Sequence, residues 1–127
     1  MARAVLDASA ILAVLNGEPG SESVTAMLSD ALISTVNYAE VVAKLVDRGS
    51  TFSQALAALR SIALTAVDFD ISLAQRSGAL RAETAKHGLS LGDRACLALA
   101  KREGVPAMTA DRSWVGAASD IEIRLIR

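Results

Sequence analysis

The sequence predicts an α/β fold, a parallel sheet with helices on both faces. Three observations carry that expectation. Short apolar, β-competent stretches alternate with longer amphipathic ones, and strands separated by one or two helices are joined by right-handed crossovers that make them parallel. Glycines stand where several of the helical stretches would close, at Gly17, Gly49, Gly88 and Gly104. Hydrophobic residues make up 52% of the 127 positions but aromatics only 3%, so packing rests on Ala, Leu and Val and the chain should be helix-rich. No linker, repeat or low-complexity segment interrupts it, and a single domain over residues 1–127 is expected.

"RAVLD" at residues 3–7 reads as the first strand, and "ASAILAVLNGE" directly after it as a helix that Gly17 closes. After the "EPGSES" turn, Val24, Met27 and Leu28 mark a second amphipathic helix, and "ALIST" at 31–35 is the second strand. In "NYAEVVAKLVDRG", Tyr38, Val41, Val42 and Leu45 form a helical stripe. "TFSQALAALRSIAL" at 51–64 continues as helix, "TAVDF" at 65–69 is the third strand, and "SLAQRSGALRAETAKHG" at 72–88 reads as one polar-faced helix. A further helix spans roughly 91–103, followed by the strand "VPAMTA", whose Pro106 belongs at its start. In the tail "DIEIRLIR", Ile121, Ile123 and Leu125 alternate with Glu122 and Arg124, the pattern of a last strand with one wet face.

A formal charge of -1 and a pI near 5.8 argue against a uniformly basic nucleic-acid-binding surface. Any polyanion must be held locally. Arg48, Arg81, Lys86, Arg94, Lys101, Arg102 and Arg112 could supply such patches, although scattered helix charges usually form solvated faces. The single Cys96 lies on an apolar helical face, cannot form an internal disulfide, and reads as a small core hydrophobe in a reducing compartment. The opening "MARAVLDASAILAVL" superficially resembles a signal peptide, but Asp7 interrupts its apolar stretch and no cleavage pattern follows. No apolar run approaches the roughly 20 residues needed to cross a bilayer, so a soluble, cytoplasmic protein without membrane partners is expected.

In a sheet of this kind the site lies at the strands' carboxyl ends, where the strand order reverses. Asp7 follows the first strand, Glu40 lies in the helix after the second, Asp93 opens the helix that feeds the fourth strand, and Asp111 follows that strand. Each has an ordinary explanation when taken alone. Ser90 and Asp93 have capping-box spacing, Glu40 and Lys44 stand at i and i+4 in the favourable order for an ion pair, and Asp7 and Asp111 precede helical segments. Jointly, four acids on one rim need a cation, because crowded carboxylates repel. Oxygen ligands without a Cys or His cluster suit Mg²⁺ or Mn²⁺ and phosphate chemistry.

The phrases "VLDASAILAVL", "NYAEV", "LSLGDRACLALA" and "MTADRSW" closely resemble the PIN-domain ribonucleases, in particular the VapC toxins of bacterial toxin-antitoxin pairs, over essentially the whole chain. The resemblance implies a PIN-like three-layer sandwich with a five-stranded parallel sheet ordered 3-2-1-4-5, a homodimer, and Mg²⁺- or Mn²⁺-dependent endonuclease action on an RNA substrate. It also implies a cognate antitoxin that blocks the site. The family's acids correspond to Asp7, Glu40, Asp93 and Asp111, as catalytic and metal-holding groups, with Ser9 and Thr109 at supporting hydroxyl positions. For either hydroxyl a cap or a strand-end turn is an equal alternative. The implied chemistry is attack on a phosphodiester by a metal-activated water.

Arg112 could orient Asp111 or contact a phosphate, although an ordinary surface ion pair suits it better and it stays outside the core site; His87 suits a helix end better than a catalytic base, and Trp114 suits packing better than base stacking. One rival is a phosphoryl-transfer enzyme with Asp7 as nucleophile, but "LDASA" has no second aspartate two residues on and no lysine ends a late strand. The other is a silent module that only binds RNA or a protein. The intact set of acids speaks against it.

Overall fold

In the computed structural model, which describes residues 1–127, the five strands are β1 (Ala4–Leu6), β2 (Ala31–Ser34), β3 (Thr65–Val67), β4 (Ala107–Thr109) and β5 (Ile123–Leu125). They form one sheet in the order β3-β2-β1-β4-β5, and every pairing is parallel. The chain winds outward from β1 to β3, then returns to lay β4 against the other side of β1. The switch point therefore falls between the carboxyl ends of β1 and β4, where Asp7 and Thr109 stand.

Seven helices accompany the sheet: α1 (Ala8–Asn16), α2 (Ser21–Thr25), α3 (Thr35–Asp47), α4 (Phe52–Arg60), α5 (Ile71–Ala79), α6 (Arg81–Thr84) and α7 (Leu91–Glu103). Two hydrophobic clusters result. Ile11 of α1, Val41 of α3 and Leu59 of α4 belong to one, while Leu73 of α5, Leu97 and Leu99 of α7 and Trp114 belong to the other. The central strand serves both, since Ala4 and Leu6 join the first cluster and Val5 the second, as side chains alternating across a strand must. This is the three-layer arrangement expected from the sequence. Cys96 and Trp114 are both buried, as packing residues. No helix is long and apolar enough to cross a membrane.

Two helical readings need correction. The stretch 72–88 is three pieces, α5, α6 and a 3₁₀ turn at Ala85–His87, the last closed by an i to i+3 bond from the Gly88 N–H to the Ala85 carbonyl at 3.0 Å, with Gly88 in the left-handed region at φ 70°. The second helix spans only Ser21–Thr25. Met27 and Leu28 are buried as their spacing requires, but tight i to i+3 bonds, such as Asp30 N–H to Met27 O at 2.9 Å, carry them into β2. The tail behaves as its alternation indicates: Glu122 and Arg124 are exposed and paired with each other, while Ile121 is buried and Ile123 and Leu125 are half-buried.

Candidate functional site

A cleft of about 340 Å³ opens at the switch point, and Asp7, Glu40, Asp93 and Asp111 all line it, together with Ser9, Lys44, Asp47 and the small apolar Ala8, Ala43 and Leu12. The four acids thus come together from four separate elements. Thr109 stands beneath them, fully buried.

Asp7 is the innermost acid, 5% exposed. Its Oδ1 accepts the Ala10 N–H at 2.9 Å, which caps α1, and the Ser9 hydroxyl at 2.7 Å; its Oδ2 accepts the Thr109 hydroxyl at 2.6 Å. Those two hydroxyls are fixed in turn. Ser9 Oγ accepts the Ala110 N–H at 2.9 Å and Thr109 Oγ1 accepts the Asp111 N–H at 3.0 Å, so one network ties the start of α1 to the end of β4. Burial pushes the Asp7 carboxyl up to about 6; the bonds from Thr109, Ser9 and Ala10 oppose that rise, and the nearby Asp93 charge adds to it. A carboxylate so placed lacks a counter-charge, which a cation at the cleft would supply.

Asp93 does what its spacing with Ser90 foretells. The Ser90 Oγ accepts the Asp93 N–H at 3.2 Å and Asp93 Oδ2 accepts the Ser90 N–H at 2.9 Å, a complete capping box on α7, and the same side chain lines the cleft. Asp111 caps the 3₁₀ turn Arg112–Trp114, with both Ser113 donors on Oδ1 and no protein partner on Oδ2. Glu40 does not pair with Lys44. Its Oε1 accepts instead the Asn37 amide at 2.7 Å.

Every acid is thus held by a local partner, and no three acidic, His or Cys groups are grouped tightly enough to enclose an ion. The donor set is nevertheless all oxygen, and Mg²⁺ is ordinarily held by one or two carboxylates, with water and substrate phosphate completing its shell. The residues present fit such an ion.

The sequence reading missed Asn37, Gly92 and Asp47 and named Lys44 only as an ion-pair partner of Glu40. Asn37 stands three residues before Glu40 on the same helical face, and a glycine in the first turn of α7 is a poor helix former with no evident local reason, so both left a signal. Arg112 is exposed and forms no salt bridge. His87 precedes Gly88 in a 3₁₀ turn and is not part of the cleft lining. Among the basic residues, Lys101 pairs with Asp120, Arg102 with Asp70 and Glu103, and Arg94 donates to the Ser77 carbonyl, which leaves them structural.

Residues 4–118 match the family model of the PIN domain. The chain belongs to the PIN domain family. Among solved structures this PIN domain is similar to DNA-bound VapBC from Salmonella typhimurium, at 23% identity and a TM-score of 0.76 over 100% of both chains. It is also similar to VapBC2 from Rickettsia felis bound to a promoter DNA fragment, at 18% identity and a TM-score of 0.75 over 96% of this chain and 97% of that one. A third is VapC20 of Mycobacterium tuberculosis, described as a sarcin-ricin loop cleaving toxin, at 17% identity and a TM-score of 0.73 over 95% and 98%. At these identities the likeness is one of fold. No match occurs among curated protein sequences.

Proposed function

We propose that this PIN domain is a metal-dependent endoribonuclease, the toxin of a VapBC-type pair, held in check by a cognate antitoxin. The observation that carries the reading is the meeting of Asp7, Glu40, Asp93 and Asp111 in one cleft at the sheet's switch point, with the buried Asp7 at its floor. The fold shared with VapBC chains and with VapC20, a sarcin-ricin loop cleaving toxin, supports it. In this reading the protein is cytoplasmic and carries one PIN domain, as composition and length lead one to expect, and works as a homodimer, as the family resemblance implies.

Mg²⁺ or Mn²⁺ held by Asp7 and Asp93, with Glu40 and Asp111 directly or through water, would offset phosphate charge and favour ionisation of an attacking water. The chain's own part is positional. Ser9 and Thr109 keep both Asp7 oxygens fixed toward one end of β1, and Asp111 retains Oδ2 for orienting water. Water then attacks phosphorus in line, the bond to the 3′ oxygen breaks, and the products are a 5′-phosphate and a 3′-hydroxyl. The RNA 2′-hydroxyl forms no bond.

Incubating the antitoxin-free protein with total RNA and mapping new 5′ ends tests both activity and chemistry. Divalent metal should be required and the new ends should carry 5′-phosphates. A 2′,3′-cyclic phosphate, or cleavage undiminished in excess EDTA, overturns the mechanism; a protein that binds RNA without ever cutting it favours the silent module.

A further inference from the structure

Asn37 is 1% exposed and spends both of its amide hydrogens on one junction. One N–H goes to Glu40 Oε1 at 2.7 Å, within α3; the other crosses to α7 and meets the Gly92 carbonyl at 3.0 Å. Turning the amide over would set its oxygen against two acceptors, so the orientation is determined by its neighbours. The buried Asn37 Oδ1 has no partner. An unpaired buried acceptor is destabilising, and an apolar side chain would avoid it, so stability alone does not account for an asparagine here.

Gly92 completes the junction from the other side. A Cβ at this position would stand 2.3 Å from Glu40 Oε2 and 2.6 Å from its Cδ and Oε1. Alanine is the better helix former, so what the glycine supplies is room: the Glu40 carboxylate lies directly on the first turn of α7, where a negative charge is favoured by the helix end. The next residue is Asp93.

We propose that Asn37 and Gly92 form a brace between α3 and α7 that fixes the Glu40 carboxylate beside Asp93, which makes both of them positioning residues of the acidic cleft. The inference deepens the nuclease reading and rests on Glu40 belonging to the metal-holding set.

The cleanest probe is Gly92→Ala, because the nearest atoms in its way are the far end of the Glu40 side chain, which can swing aside while the fold stays intact. Asn37→Ala, Glu40→Gln and the pair Asn37→Ala/Glu40→Gln complete the set. Mn²⁺ affinity by titration calorimetry should fall about 10- to 100-fold in Gly92→Ala and in Asn37→Ala, with RNA cleavage falling alongside. The double variant should be no worse than Glu40→Gln alone, since a residue acting through another gives a non-additive pair. Mn²⁺ affinity unchanged in Gly92→Ala, or an Asn37→Ala loss repeated in full on top of Glu40→Gln, overturns the brace; a lowered melting temperature with intact Mn²⁺ binding is what simple packing would give and also counts against it. Should Asn37→Ala fail to fold, Gly92→Ala decides. If Glu40→Gln binds Mn²⁺ and cuts RNA like the parent, the role of Glu40 falls and the brace with it, whereas impaired Glu40→Gln beside unimpaired Gly92→Ala and Asn37→Ala removes the brace alone.

Discussion

Asp7 carries a penalty that pH can reveal. Its carboxyl is pushed from 3.8 to about 6 in the fold, chiefly by burial. Below about pH 3 folded and unfolded chains are both protonated at this position and the group is neutral in its effect; as pH rises the unfolded chain ionises first, so stability falls, and the loss is complete above about pH 7, on the order of 3 kcal/mol. Asp7→Asn lacks this slope. Its Oδ1 bonds survive, and the Thr109 hydroxyl has the Ser9 Oγ at 3.3 Å as an alternative acceptor. In EDTA, Asp7→Asn should therefore melt increasingly above the parent between pH 4 and 8, while its cleavage activity drops at least about a hundredfold; parallel melting curves would show that burial of the charge is not costly. Asp93→Ala should do the reverse in EDTA and melt lower, by about 1 kcal/mol, because it removes one half of a formed capping box. Both acids left a mark in the sequence, Asp7 directly after a strand and Asp93 at capping-box spacing from Ser90, whereas Ser9 and Thr109 were named only through the family resemblance. Asn37 and Gly92 each left a local signal, but the bond between them spans 55 positions, and no local pattern reports that two helices touch there.

The helix α3 presents Glu40, Ala43, Lys44 and Asp47 to the cleft, a run at i, i+3, i+4 and i+7 that lies along one face. Lys44 is the sole basic residue lining it and is tied up in no salt bridge. On the nuclease reading it contacts an RNA phosphate next to the scissile one. Lys44→Ala should then weaken RNA binding and flatten the dependence of log K on log salt by about 0.7, the share of one phosphate contact on a single strand, while the metal-free melting free energy stays within about 0.5 kcal/mol. An unchanged salt slope in a fluorescence-anisotropy titration argues that Lys44 only decorates the rim. Elements whose apolar period and caps agree, such as α1, α3 and α7, were readable almost to their ends. The stretch 72–88 was misread because helical spacing of its apolar residues does not distinguish a tightened i to i+3 last turn from a continuing α-helix.

For the molecule as a whole, alternation of strands and helices foretold parallel pairing but not the order of strands, since either side of β1 could have received β4. The order 3-2-1-4-5 came with the family resemblance, and the sheet has it. An ion that binds only the folded protein stabilises it by roughly 2.7 kcal/mol at a hundred times its dissociation constant, and each kcal/mol raises the melting temperature by about 2 to 8 °C. Mn²⁺ should raise the melting temperature of the parent and leave Asp7→Asn nearly unmoved; equal shifts in both would place the ion elsewhere. A bound antitoxin should set an Arg or Lys side chain against the same acids, which a crystal structure of the pair, or loss of inhibition on replacing that residue, checks. The link between Asp7 and Thr109 also bears on timing during synthesis. The two residues are 102 positions apart. At about 5 to 20 residues per second, roughly 5 to 20 s separate their emergence from translation, so a growing chain has its first acid long before the strand that anchors it. On the nuclease reading the acidic cleft is thus among the last things to be assembled, and a nascent chain would cut no RNA until β4 and Asp111 have docked.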